Sequence, residues 1–158
     1  MKKILSFMAM AALLVSCQPD IPETPEEQKQ KTFEETTEFT AYGRITVPSQ
    51  AFTMDSVRVE AKLNDGTKID ISLFEVTFSA RMPVRIDMVI PDASYSRTKG
   101  KITFTGEGIE PTMGGNPVSR YVVTGLQGTI TPDSLCFTTD FGGMTCTYQG
   151  LLLPLRQN

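Results

Sequence analysis

Residues 56–63, SVRVEAKL, alternate polar and apolar at every step. Val57, Val59, Ala61 and Leu63 share one face; Ser56, Arg58, Glu60 and Lys62 share the other. Such period-two alternation marks a strand with one buried face. Asn64-Asp65-Gly66 follows, and Lys68-Ile69-Asp70-Ile71-Ser72-Leu73 alternates again. A three-residue loop over 64–66, with Gly66 left-handed, predicts a hairpin. It would pair Leu63 with Thr67, Ala61 with Ile69 and Val59 with Ile71. After Leu73 the apolar phase passes to Phe74, Val76 and Phe78, which predicts a bulge. Further on, Pro132-Asp133 suits the centre of a tight turn, and Gly142-Gly143 suits a two-residue hairpin loop. That register sets Phe141 opposite Met144, Thr139 opposite Cys146, Phe137 opposite Tyr148, and Gly128 opposite Phe137.

Extending the same reading predicts eight strands, roughly 39–47, 55–63, 67–78, 84–90, 100–106, 120–130, 134–141 and 144–152. No segment beyond residue 38 has a helical period, and the prolines there fall at predicted strand ends or in loops, where a missing N–H does no harm. Sequential hairpins must hide their edges, and closure does so. The predicted fold over 39–158 is therefore all-β: an eight-stranded antiparallel up-and-down β-barrel. A β-sandwich is the alternative, with only 107–119 long enough for a Greek-key crossing.

The first residues follow another pattern. Lys2 and Lys3 precede Ile4 to Val15, apolar apart from Ser6. This has the form of a signal peptide and is shorter than the ~20 apolar residues that span a bilayer. Leu14-Val15-Ser16-Cys17 resembles the bacterial lipobox. The resemblance implies removal of residues 1–16, lipid attachment to Cys17, and a membrane anchor without a transmembrane helix. From 17 to 38, seven carboxylates face only Lys29 and Lys31, with Pro19, Pro22 and Pro25 among them. This reads as an acidic, solvated tether, expected to be disordered; a transient helix through EEQKQKTFEE is the alternative. An acidic stretch after a lipidated cysteine loosely resembles surface-export signals of some Gram-negative bacteria. The expected location is the outer membrane, with display on the cell surface.

Composition removes several chemistries. The 158 residues include no histidine, so Ser-His-Asp and Cys-His catalysis and histidine-based zinc sites have no ligand or base. Acids and bases balance beyond Phe39, without a basic stripe, so no nucleic-acid partner is expected. Gly106-Glu107-Gly108 and Gly114-Gly115 precede no helix that could hold a phosphate. Glu107 and Glu110 read as solvated. Cys136 and Cys146 lack metal-ligand spacing. Neither a cofactor nor a metal is expected, and the chain is expected to be a monomer.

From FTAYGRITV, through GKITFTGEG, to VVTGLQGTITPDSLCFTTDFGGMTCTYQG, the chain resembles the calycin-like β-barrel domain of bacterial lipoproteins. The lipocalin relatives carry a Gly-x-Trp signature; Tyr42-Gly43-Arg44 keeps the glycine without the tryptophan. The resemblance implies a fold and a location, and no particular activity. Two non-enzymatic functions are expected. One is binding of a small apolar ligand in the barrel mouth, by Met88, Phe104, Phe137, Phe141, Met144 and Tyr148. The other is a structural or adhesive surface module acting through its outer face and loops, chiefly 107–119. The six large residues can line a cavity or fill it around the small Ala41, Gly43, Gly106 and Gly128; filling is the preferred reading. Asp55-Ser56-Val57 and Asp133-Ser134-Leu135 resemble an O-glycosylation acceptor of exported proteins in one group of anaerobic Gram-negative bacteria. Both fall at predicted turn-to-strand junctions, with Ser56 and Ser134 as the acceptors. The register points Cys146 inward and Cys136 outward, too far apart in direction for a disulfide. Two free thiols are expected, with Cys136 the more reactive.

Overall fold

The computed structural model describes residues 21–156; the predicted signal segment and Cys17 lie outside the described residues. Among these residues one α-helix, α1 (Pro25–Glu35), precedes ten strands. These are β1 (Glu38–Val47), β2 (Phe52–Asn64), β3 (Lys68–Val76), β4 (Ile86–Thr98), β5 (Lys101–Gly106), β6 (Thr112–Met113), β7 (Asn116–Pro117), β8 (Val123–Ile130), β9 (Ser134–Phe141) and β10 (Met144–Leu152). Eight of them run β1-β2-β3-β4-β5-β8-β9-β10, each antiparallel to the next, and β10 pairs back to β1. The ring is a closed up-and-down barrel, consistent with a calycin-like fold; the sandwich alternative fails because no edge remains where two sheets could separate. The short β6–β7 hairpin lies within the predicted long loop and joins β4 through Val89 and Thr112.

The C-terminal hairpins keep the predicted register. Phe141 pairs with Met144, Cys146 with Thr139 and Tyr148 with Phe137, and Gly128 lies opposite Phe137. Gly142 and Gly143 both have positive φ, at 60° and 93°, as the mirror-image turn of a two-residue hairpin requires. The β2–β3 hairpin departs from expectation. Its loop is Asp65-Gly66-Thr67, closed by Asn64 and Lys68, so Ala61 pairs with Ile71 and Val59 with Leu73. Asp65 and Gly66 are both left-handed (φ 43° and 73°), and Asn64 Nδ2 donates to Asp70 at 2.9 Å. The partners move by two residues, which preserves which face each side chain occupies.

The predicted bulge after Leu73 forms at Phe74-Glu75, where the β3–β4 register shifts and Glu75 has φ 50°. Val76 and Phe78 turn inward, but Phe74 stays outside, with the Arg58 guanidinium 4.0 Å above its ring. β4 is longer than predicted. It passes through Pro91 and continues to Thr98 because Pro91-Asp92 forms another bulge, opposite Asp70. Asp92 has φ 54° and its N–H donates to Asp70 at 2.8 Å. A proline at a bulge removes no ladder bond.

The segment expected to be a disordered tether contains α1. Thr24 and Glu27 form a reciprocal capping box, and Pro25 opens the first turn. The helix has no basic residue in its last turn. Arg97 of β4 supplies that charge instead, donating to the carbonyls of Glu34 (2.9 Å) and Thr36 (2.6 Å). The Glu34 carboxylate accepts from the Gly100 N–H at 2.6 Å, and Lys29 pairs with Asp133. Phe33 is wholly buried, 5.4 Å from the Phe39 ring. α1 thus closes the barrel end that carries the turns at 65–67, 99–100 and 131–133.

Candidate functional site

The sequence nominated the barrel interior as the site. Of its six residues, Met88, Phe104, Phe137, Phe141 and Tyr148 are buried, and Met144 is half-buried against the same core. They pack on one another: Phe137 and Tyr148 stack at 5.3 Å, and Phe104 lies 6.3 Å from Phe137. Of the small positions, Gly106 is covered by Ile109 and Leu126, and two further glycines lie under rings. A methyl group on Gly128 would overlap the Phe104 ring, and one on Gly150 would overlap the Tyr148 ring. The ring over Gly128 therefore belongs to Phe104, across the β5–β8 pairing, and not to the opposed Phe137.

Tyr148 shows how the strands position a side chain in this core. Its ring lies along β10 over Gly150, which pairs with Gly43. Its hydroxyl donates to the Val57 carbonyl at 3.0 Å. Around that carbonyl the β1–β2 register shifts: Gly43 faces Val57 while Ile45 faces Met54, leaving Asp55-Ser56 bulged opposite Arg44. Ser56 has φ 58°, and Asp55 accepts from Arg44 Nε at 2.6 Å. Burial pushes the Tyr148 hydroxyl pKa well above its ordinary value, with neighbouring Cys136 adding to the shift. The hydroxyl stays protonated and serves as a buried donor.

The end opposite α1 is closed by aromatic side chains. Phe78, from the segment after β3, lies 5.1 Å from Phe141 and 6.4 Å from Tyr121. Phe78 and Tyr121 are the residues that sequence reasoning missed. The alternation puts Phe78 at the end of a strand over 67–78 and Tyr121 in a strand over 120–130, whereas β3 ends at Val76, Tyr121 ends a 3₁₀ turn at Ser119–Tyr121 and β8 begins at Val123. No periodicity brings two loop residues together; the barrel end does. Among the described residues, no group of three or more metal-ligating side chains converges.

The two glycosylation candidates sit differently. Ser56 is exposed, and it lies inside β2 at the bulge rather than at a turn-to-strand junction. Ser134 begins β9 as expected. It is half-buried, its hydroxyl shares a 3.0 Å hydrogen bond with Thr131, and the preceding Asp133 is held by Lys29.

The thiols lie as the register required. Cys146 is buried opposite Thr139, Cys136 is partly exposed opposite Gln149, and both are free. Burial pushes the Cys146 thiol up to about 12 from its ordinary 9.0. Between those values the unfolded chain has released this proton and the folded chain has kept it. The Cys146 contribution is therefore fully present below pH 9.0 and is lost as pH rises towards about 12. Iodoacetamide should modify Cys136 alone in the native protein and both thiols after denaturation without reductant. Native labelling of both at equal rates would contradict the packing of Cys146, and no labelling after denaturation would contradict free thiols.

No family model, curated protein or solved structure matches this chain.

Proposed function

We propose that the chain is a non-enzymatic lipoprotein of the outer membrane, anchored at Cys17, that works through its outer surface and not as an interior carrier. The observation that carries the second half is the packing of the nominated ligand residues onto one another, with α1 at one end of the barrel and the Phe78-Tyr121-Phe141 cluster at the other. An apolar ligand would have to displace that core. The anchor rests on Lys2-Lys3, the apolar run and Leu14-Val15-Ser16-Cys17. The lipocalin-like ancestry belongs to the same proposal: the barrel architecture supports it, and Gly43 occupies the glycine of the lipocalin signature.

Two measurements test the reading. Cys17→Ala should move the protein from the membrane fraction to the soluble fraction; a variant that stays membrane-bound would remove the lipid anchor from the proposal. Native mass spectrometry of the chain recovered from its own membranes should give the mass of the lipidated polypeptide alone. A neutral apolar molecule retained at one per chain would restore the interior-ligand reading.

A further inference from the structure

Outside the aromatic plug lies a pocket of about 510 Å³, within the ~300–1,000 Å³ typical of small-molecule sites. Phe78 and Phe141 lie buried beneath it, the half-buried Met82, Met144 and Tyr121 present its apolar surface, and the exposed Arg81 and Arg120 stand beside them. No carboxylate lines it. Asp140 precedes Phe141 on β9, but alternation turns it to the opposite face, where it accepts from the Gly143 N–H at 2.5 Å.

Three arginines on this barrel are already engaged. Arg44 is paired with Asp55, Arg58 with Glu60, and Arg97 is spent on the α1 carbonyls. Arg81 and Arg120, like Arg85 and Arg156, have no ion-pair partner among the described residues, and of these four only Arg81 and Arg120 line this pocket. Arg120 lies 5.7 Å from the Tyr121 ring, a contact that leaves its N–H donors free for an anion. Two uncompensated guanidinium groups at the rim of an apolar floor are complementary to one ligand class: an amphipathic anion.

We propose that this pocket binds a small molecule with a carboxylate, sulfate or phosphate head and a short apolar chain or ring. The head sits between Arg81 and Arg120, and the apolar part lies on Met82, Met144 and Tyr121. The site is outside the filled core, so it goes beyond the surface-module reading and would stand if the lipid anchor failed its own test.

The probes are octanoate, 1-octanol and inorganic phosphate, titrated separately into the purified full chain while the Met82 methyl resonance is followed. Octanoate should shift it saturably, and 1-octanol should bind at least roughly tenfold more weakly because its neutral hydroxyl brings no negative charge to the guanidinium groups and no bidentate acceptor. Phosphate alone should also be weaker than octanoate. An Arg81→Ala, Arg120→Ala variant should lose the preference for octanoate over octanol. Both side chains are exposed, so its melting temperature should not change, and Arg81→Lys with Arg120→Lys should restore part of the preference. Equal affinity for octanoate and octanol, a preference that survives the double alanine variant, or phosphate binding as tight as octanoate would each overturn the proposal.

Discussion

Gly43→Ala is expected to unfold this protein or leave it barely stable. The added methyl group would run into the Gln149 carbonyl and the Gly150 Cα of the neighbouring strand. Those are backbone atoms on the β1–β10 seam that closes the barrel. Overpacking costs roughly 1–3 kcal/mol where side chains can yield and more where they cannot; here relief requires the seam to open, so a loss above about 3 kcal/mol is expected. Gly128→Ala is the comparison. Its methyl group would meet the Phe104 ring, an obstacle that can be removed by mutation. Gly128→Ala should be destabilising alone and partly rescued by Phe104→Leu, whereas no single side-chain change should rescue Gly43→Ala. Urea denaturation of the four proteins gives the comparison, and equal losses for the two glycine variants would refute the seam argument.

Phe33→Ala should cost about 3–5 kcal/mol, the range for emptying a buried phenylalanine site. Phe33 is wholly buried at the α1 end of the barrel, beside Phe39 and within 5.8 Å of the Arg97 guanidinium. Without it, α1 keeps its capping box and the Arg97 contacts but loses its apolar anchor. An isolated helix of 11 residues is shorter than the ~12–15 residues at which even alanine-rich helices become marginal in water. The amides of 25–35 should therefore exchange rapidly in the variant and slowly in the parent. Were this segment a solvated tether, the substitution would fall within about 0.5 kcal/mol of neutral and leave exchange unaltered. The docked α1 and the Arg81-Arg120 pocket occupy opposite ends of the barrel.

The strands and most of their pairing are legible along the chain, because a strand's buried face is written in alternate residues. Val57-Val59-Ala61, Ile69-Ile71-Leu73 and Phe137-Thr139-Phe141 all turn inward as their alternation required. Gly142-Gly143 set the last hairpin, because two consecutive positive φ angles leave little choice of turn. From that register alone followed the separation of Cys136 from Cys146. Barrel closure followed from the need to hide edges, once eight strands in sequential hairpins were counted. The candidate residues of the interior were legible as inward-facing, but whether they lined a space or filled it was not. That depends on rings reaching across strands: Phe104 into the gap at Gly128, and Tyr148 over Gly150 towards Val57.

Three further features depend on contacts between distant segments. The loop of the β2–β3 hairpin moved by one residue because Asp65 and Gly66 both adopt left-handed angles, and either placement keeps the apolar faces aligned. Pro91 continued a strand instead of ending it, because a bulge opposite Asp70 removed the need for its N–H. Residues 25–35 became a docked helix although their composition is that of a solvated segment. One phenylalanine and the carbonyls at the helix C-terminus suffice, once Arg97, Gly100 and Asp133 from distant strands and turns converge there. Alternation and turn chemistry act between near neighbours along the chain, so they can be read from it. The helix clamp, the aromatic plug and the arginine-rimmed pocket join residues that only the closed barrel brings together.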